Sequence, residues 1–274
     1  MPLVSIVTVC RNAASTLEAS LESVAGQRGR AIEHILIDGA SSDGTLEILE
    51  RWRPRLAVVV SEPDQGIADA FNKGIARASG AYVMFVNADD RLGPGQVARA
   101  AATLERTGAD GVFGDLVCED LAGRPAHRLQ GDAAYAGRID RGFPAINHPT
   151  LLVRRGLFDE IGGFDPTLRI AMDYDWCLRA HRAGARFVHD PCLVGHYRLG
   201  GASDRRWIQA AAELRDISMR HGLPGRIAWP LFAGRVAKAG TQRLLSRVLP
   251  PAWHASLRRR VNTSHQKVPT HHGS

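Results

Sequence analysis

The sequence predicts an α/β protein with a mostly parallel central sheet, on three observations. Apolar, β-branched runs alternate with helix-forming segments three times and close on a fourth run, the order expected of parallel strands joined by helical crossovers. Three of the four runs end in acids: Asp38 after the second, Glu62 and Asp64 after the third, Asp89 and Asp90 after the fourth. Between the runs stand residues that stop or turn a chain, among them Pro54, Gly66 and Gly80.

Each element follows from its residues. Residues 3–9 are β-branched and apolar, giving a first strand that breaks at Arg11-Asn12. Ser15-Thr-Leu-Glu18 has the spacing of a capping box and opens a helix to about Gln27. Residues 32–37 form a second strand, 39–44 a loop of turn formers, and 45–53 a helix stopped by Pro54. A third strand spans 56–60, and a helix runs over 67–79 with Gly80 in the place of a C′ glycine. Tyr82 to Val86 are bulky and uncharged, which suits a strand buried on both faces. Residues 111–118 read as a further strand, 119–129 as a polar hairpin or loop, and 171–179 as the start of a helix with Asp in its first turn and Gly184 beyond its end.

Composition bounds the class. A chain of 274 residues with 45% hydrophobic and 23% charged residues is long enough for one large α/β domain with an appendage. Cys10, Cys118, Cys177 and Cys192 form no C-x-x-C pair, the pattern of reduced thiols in a cytoplasmic protein rather than a disulfide framework. No basic n-region opens the chain and no apolar run has the length of a bilayer span, so neither a signal peptide nor an integral membrane protein is expected. The net charge of +7 is uneven: beyond Asp216 there are ten basic residues and no acid. The expected organisation is a catalytic domain over 1–216, divided near 110, and a basic helical tail over 217–274.

If the first four strands are parallel, Asp38, Glu62 or Asp64, and Asp89 with Asp90 emerge at one edge of the sheet, where ligands of open α/β sheets bind. Carboxylates gathered there repel one another unless a cation or hydrogen-bonding ligand shares the crevice. Mg²⁺ is held by one or two protein carboxylates plus substrate phosphates, and Asp89 and Asp90 could supply them. An acidic turn or N-cap before Gly93-Pro94 is the plain alternative. Neither a G-x-G-x-x-G loop nor a Walker lysine motif follows the first strand, which disfavours dinucleotide oxidoreductases and P-loop NTPases.

An ordered series of motifs carries a resemblance: Ser5-Ile-Val-Thr-Val-Cys-Arg-Asn12, His34-Ile-Leu-Ile-Asp-Gly-Ala-Ser-Ser-Asp-Gly-Thr45, Glu62-Pro-Asp-Gln-Gly-Ile-Ala-Asp-Ala-Phe-Asn-Lys-Gly74 and Asn87-Ala-Asp-Asp90. With Asn147-His-Pro-Thr150 and Ala171-Met-Asp-Tyr-Asp175 further on, the chain resembles a family-2 glycosyltransferase of the GT-A fold from about Leu3 to Ser203. The resemblance implies a Rossmann-like sandwich binding a nucleotide-diphospho-sugar donor, a divalent metal (Mg²⁺ or Mn²⁺) and a glycan or lipid-linked acceptor. It implies a base contact from Asp38 and metal and diphosphate contacts from Asp89 and Asp90. The family's general base maps to Asp173, with Asp175 as the alternative; Met172 replaces the glutamate before it. Asn87 stands at the first position of the D-x-D motif. Val9 replaces the usual proline and Arg11 a frequent aromatic at the base-contacting corner, where Asp64 is the acid after the third strand. His196 maps to a third metal ligand or diphosphate contact, and Lys73 on the third helix is within reach of a diphosphate or is a solvated surface lysine. His148, beside Pro149, reads as a structural or acceptor-pocket histidine.

Such residue types suit the chemistry. A metal neutralises charge on a departing diphosphate, and a carboxylate takes the proton of an acceptor hydroxyl, a contribution of about 10²–10⁴-fold. One base opposite the leaving group implies inversion. An Asp in the first turn of a helix can instead complement its dipole. The alternatives are a nucleotidyltransferase or other nucleotide-processing enzyme, and a non-catalytic protein that binds through its basic tail; a nucleic-acid partner is not expected given the acids of residues 1–216. The tail, broken by Pro230, Pro250 and Pro251, is not expected to be one long helix, and Arg235 and Lys238 fall in the sector of Leu231 and Leu249. Only residues 242–249 separate cleanly, so contact with an anionic membrane surface is an expectation carried mainly by charge.

Overall fold

The computed structural model describes residues 3–248. The chain opens β1 (Val4–Cys10), α1 (Leu17–Ala25), β2 (Ile32–Asp38), α2 (Thr45–Trp52), β3 (Val58–Ser61), α3 (Ile67–Ile75) and β4 (Tyr82–Asn87). Next come β5 (Arg91–Leu92), α4 (Gln96–Thr107), β6 (Gly111–Glu119), β7 (Pro125–Leu129), α5 (Ala136–Ile139), β8 (Leu152–Arg154) and α6 (Gly156–Ile161). It continues with α7 (Met172–Arg182), β9 (Phe187–Arg198), α8 (Ala202–Arg205), α9 (Trp207–Arg220) and α10 (Gly225–Val248).

These strands form one sheet in the order β3-β2-β1-β4-β8-β6-β9-β5, with β7 paired to β6. β1, β2, β3 and β4 are parallel, as are β6 and β9, while the short β5, β7 and β8 pair antiparallel. Along β4 the side chains alternate between two cores: Val83 and Phe85 join Val7, Phe71 and Trp176 on one face, and Met84 and Val86 join Ile6, Val97 and Leu104 on the other. This explains an apolar run without polar alternation, because both faces of the strand are covered by helices. Burying one such side chain fully contributes about 1.5–3 kcal/mol.

Several sequence expectations are corrected at element ends. The capping box does not form: Thr16 makes no side-chain cap bond, and Glu18 instead binds Arg51 and Trp52 of α2. α3 ends at Ile75, so Gly80 is not its C′ residue. Gly80 lies where a Cβ would come 2.7 Å from the Leu3 carbonyl oxygen, so glycine is required by the close passage over β1. α10 runs through Pro230, against the expectation of a break. The proline sits near the N-terminal end, where it removes a single backbone bond and leaves the long remainder of the helix intact. Pro250, Pro251, Leu249, His271 and His272 lie outside the described residues, as do the side chains of Gln242 and of residues 245–248.

Candidate functional site

The register of the parallel strands sets the site. Cys10 pairs with Asp38, Asp38 with Ser61, and Val9 with Asn87, so β1, β2, β3 and β4 end level. The acids that follow them therefore share one rim. Their environments differ.

Asp38 is fully buried and its carboxylate is occupied: Oδ2 accepts from the Ser41 amide (3.0 Å) and Ser61 Oγ (2.7 Å), and Oδ1 from the Ser41 hydroxyl and Cys10 Sγ. It ties together the ends of three strands. The adjoining loops are knitted by further bonds, the Asn12 amide to Ser41 Oγ at 2.8 Å and the Ala13 amide to Thr45 Oγ1 at 2.8 Å. Two non-glycine residues in the loops, Asn12 and Ala40, hold φ of 51° and 55°. Strained backbone of this kind persists only where the surroundings over-determine it, and clusters at ligand sites.

Asp64 is half-buried. Its Oδ1 accepts from the Gly66 amide at 2.9 Å, while Oδ2 lies over Gly39, where any Cβ would collide with it. Arg11, exposed at the end of β1, borders the same glycine. Arg11, Gly39 and Asp64 thus frame an open corner. Val9 does not join it: its side chain is buried in the core, leaving only backbone at the rim. Lys73 is also directed elsewhere, with Nζ on the Pro63 carbonyl (2.8 Å), Glu62 (3.0 Å) and Asp69 (3.3 Å), where it braces the loop after β3.

At the end of β4 the two adjacent acids divide. Asp90 is 2% exposed, accepting from Asn87 Nδ2 at 2.9 Å and the Arg198 amide at 3.2 Å. Burial, and then the charge of Asp89, push its carboxyl up to about 8. Asp89 is less enclosed; burial raises it too, offset in part by Arg198 and Arg205. Asn87 Oδ1 is buried without a hydrogen-bond partner. Two carboxylates whose ionised forms are disfavoured, beside an unpartnered amide oxygen, make a hard-oxygen donor set that fits Mg²⁺ or Mn²⁺. Among the described residues no three His, Cys, Asp or Glu side chains gather around one metal position. His196 binds Glu119 through Nδ1 at 2.8 Å, and Glu119 is itself paired with Arg91. That bond leaves Nε2 on the far side of the ring, the orientation a carboxylate gives to a metal-binding histidine.

α7 carries the remaining acids. Asp173, in its first turn, is half-buried, accepts from the Tyr174 amide at 2.8 Å, and lines a small cavity with Ile139, Ala145 and Ile146. Asp175 is not open to that cavity: it is 2% exposed, with Arg179 Nε at 2.8 Å and His221 Nε2 at 3.3 Å. The start of α7 is held toward the rim by the chain before it. Arg169 donates to the Gln65 carbonyl, and Asn72 exchanges two 2.8 Å bonds with the Phe164 backbone. Between α7 and β4 lies His148, stacked on Phe85 at 5.2 Å; burial lowers its pKa and Asp173 raises it in part. A separate cavity of about 390 Å³, lined by Asn72, Arg155 and Phe164, adjoins the C-terminal end of α3.

Sequence reading missed the turn after β9. Tyr197 Oη bonds Ser203 Oγ at 2.9 Å, and Arg198 and Arg205 supply the positive charges felt by Asp89. Arg198 follows His196 in a string already prominent in the sequence; Arg205 gave no local signal.

Comparison with known proteins identifies the family and the fold. Residues 5–162 match the model of the family described as "Glycosyl transferase family 2". An uncharacterised glycosyltransferase of Mycobacterium tuberculosis (strain H37Rv) is 36% identical over 90% of this chain and 96% of its own. A PGL/p-HBAD biosynthesis glycosyltransferase of Mycobacterium bovis (strain BCG / Pasteur 1173P2) is 32% identical over 74% of this chain and 80% of its own. Among solved structures, a mannosyltransferase from Pyrobaculum calidifontis in complex with GDP-Man and Mn²⁺ superposes with a TM-score of 0.65 at 20% identity, covering 97% of this chain and 81% of that one. At that identity the likeness shows the GT-A fold alone.

Proposed function

Because the chain belongs to glycosyl transferase family 2, we propose that it is an inverting transferase moving a sugar from a nucleotide-diphosphate donor to a glycan or lipid-linked acceptor in surface polysaccharide or glycolipid assembly. The observation that carries the reading is the level ending of four parallel strands, which gathers Asp38, Asp64 and Asp89 on one rim, with the chain leading into α7 tied to the loop after β3 through Arg169.

In this reading residues 1–110 hold the nucleoside and the metal, and residues 111–216 form the acceptor side and lend Arg198 and Arg205 to the donor diphosphate. The nucleoside lies in the corner of Arg11, Gly39 and Asp64. Asp38, saturated by Ser41 and Ser61, shapes that corner and offers the base its surroundings rather than a free oxygen. The diphosphate lies at Asp89, where Arg198 and Arg205 add positive charge. A divalent cation held by Asp89, with Asn87 Oδ1 and Asp90 behind it, would neutralise charge on the leaving diphosphate. Asp173 takes the acceptor hydroxyl's proton as the oxygen attacks the anomeric carbon from the side away from the diphosphate. In this reading the protein acts in the cytoplasm, peripheral to the inner face of the membrane.

The test is a panel of nucleotide sugars assayed for donor hydrolysis and transfer with Mn²⁺ or Mg²⁺ and with a chelator. One donor should be turned over only with metal, and Asp89→Asn should lower the rate by more than about 10²-fold. Release of pyrophosphate from a nucleoside triphosphate, with no sugar transferred from any donor, overturns the reading.

A further inference from the structure

No helix among the described residues is long and apolar enough to cross a membrane. α10 nevertheless has an outward surface unlike that of a solvated helix. At 100° per residue, its exposed positions fall within about half the circumference. They include Arg226, Ile227, Trp229, Ala237, Lys238 and Leu244, with only alanine, glycine, proline and threonine between them and no acid. Trp229 is 53% exposed and Leu244 64%. The inner half is occupied: Ala228 is buried, Arg235 donates to the Gly142 carbonyl, and Arg243 lies over Trp207. Arg215 of α9 sits 4.1 Å from the Trp229 ring and fixes the indole at the edge of the outward face.

We propose that the outward half of α10 docks in the headgroup region of an anionic bilayer. The helix is about 36 Å long, long enough to lie along the surface. Ile227, Trp229 and Leu244 supply apolar area of the kind that enters the headgroup and acyl boundary, and tryptophan favours that depth. Arg226 and Lys238 supply attraction to anionic lipid. Charge speaks against the other occupants. Beyond Asp216 there is no acid, so a second copy seated face to face would oppose cation to cation. The chain from residue 249 onward carries four more basic residues and no acid, so it too is a poor cover. A nucleic acid would match the charge and leave the apolar side chains without a partner. This assignment stands on the surface of α9 and α10 and is independent of the transfer reaction.

The experiment is flotation of the full chain with vesicles of phosphatidylcholine alone and of phosphatidylcholine mixed with phosphatidylglycerol. The chain should float with the mixed vesicles. Ile227→Glu combined with Leu244→Glu, and separately Arg226→Glu combined with Lys238→Glu, should each lower partitioning by about tenfold or more. Donor hydrolysis in solution should be unchanged by either pair, which separates this outcome from failure of the transferase reading. Should a pair disturb folding, brominated lipid supplies an independent measure: it should quench wild-type fluorescence, and Trp229→Phe should remove most of that quenching. Equal recovery from both vesicle types, or partitioning indifferent to both pairs, overturns the proposal. So does a wild-type dimer that the Ile227 and Leu244 pair dissociates, or RNA binding lost with the same substitutions.

Discussion

At the scale of the residue, the site is a contrast between carboxylates that are spent and carboxylates that are open. Asp173 and Asp175 lie two positions apart in one helical turn, yet one lines a cavity and the other is enclosed with Arg179 and His221. Their substitutions should therefore separate. Asp173→Asn should leave unfolding free energy within about 0.5 kcal/mol of wild type while lowering transfer about 10²–10⁴-fold. Asp175→Asn should cost about 3 kcal/mol of stability, because a buried pair loses one member, with any folded fraction still active. Denaturant unfolding and steady-state rates on both variants check this; a catalytic loss at Asp175 without a stability loss would reverse the assignment. The sequence made Asp173 and Asp175 both candidates, since helical spacing does not say which neighbours arrive from α9.

At the scale of the element, residues distant in the chain redirect side chains that local rules place elsewhere. Glu18 leaves the capping box for α2, and Arg235, which by angle spoils an apolar stripe, turns inward to the Gly142 carbonyl. The pairing of β1 with β2 has a measurable consequence. His34 on β2 bonds Thr8 on β1 at 2.9 Å, and burial depresses its pKa from 6.5 to about 4. It stays neutral in the fold while the unfolded chain takes up a proton below pH 6.5. Stability should accordingly be lost as pH falls from about 6.5 to about 4, by on the order of 2–3 kcal/mol from this group. Urea unfolding across that interval should show the loss, and His34→Gln should flatten that part of the curve; an unchanged slope would remove His34 from the account.

At the scale of the whole molecule, the proposed function makes the binding of donor and metal mutually dependent. The protein offers few oxygens at the end of β4, and a diphosphate supplies more. Mn²⁺ alone should raise the unfolding temperature little, a nucleoside diphosphate alone little, and the two together by several degrees, reversed by chelation. Calorimetry with the four combinations decides, and purely additive shifts would rule out a shared site. The rim that makes this coupling possible was legible in the sequence as acids recurring after apolar runs. The turn of residues 197–205 that faces it was not, because its position depends on the antiparallel pairing of Arg91 with His196.

The sequence by itself determined the order of the first four strands and the three helices between them, the burial of β4 on both faces and the recurrence of acids at strand ends. Those follow from apolar periodicity and breakers, which act over a few residues. Only the tertiary structure decided that Asp38, Asp90 and Asp175 are enclosed while Asp64, Asp89 and Asp173 remain accessible. The partners that enclose the first three, Ser61, Arg198 and His221, come from other elements, and desolvation is a property of the packed chain rather than of any segment of it.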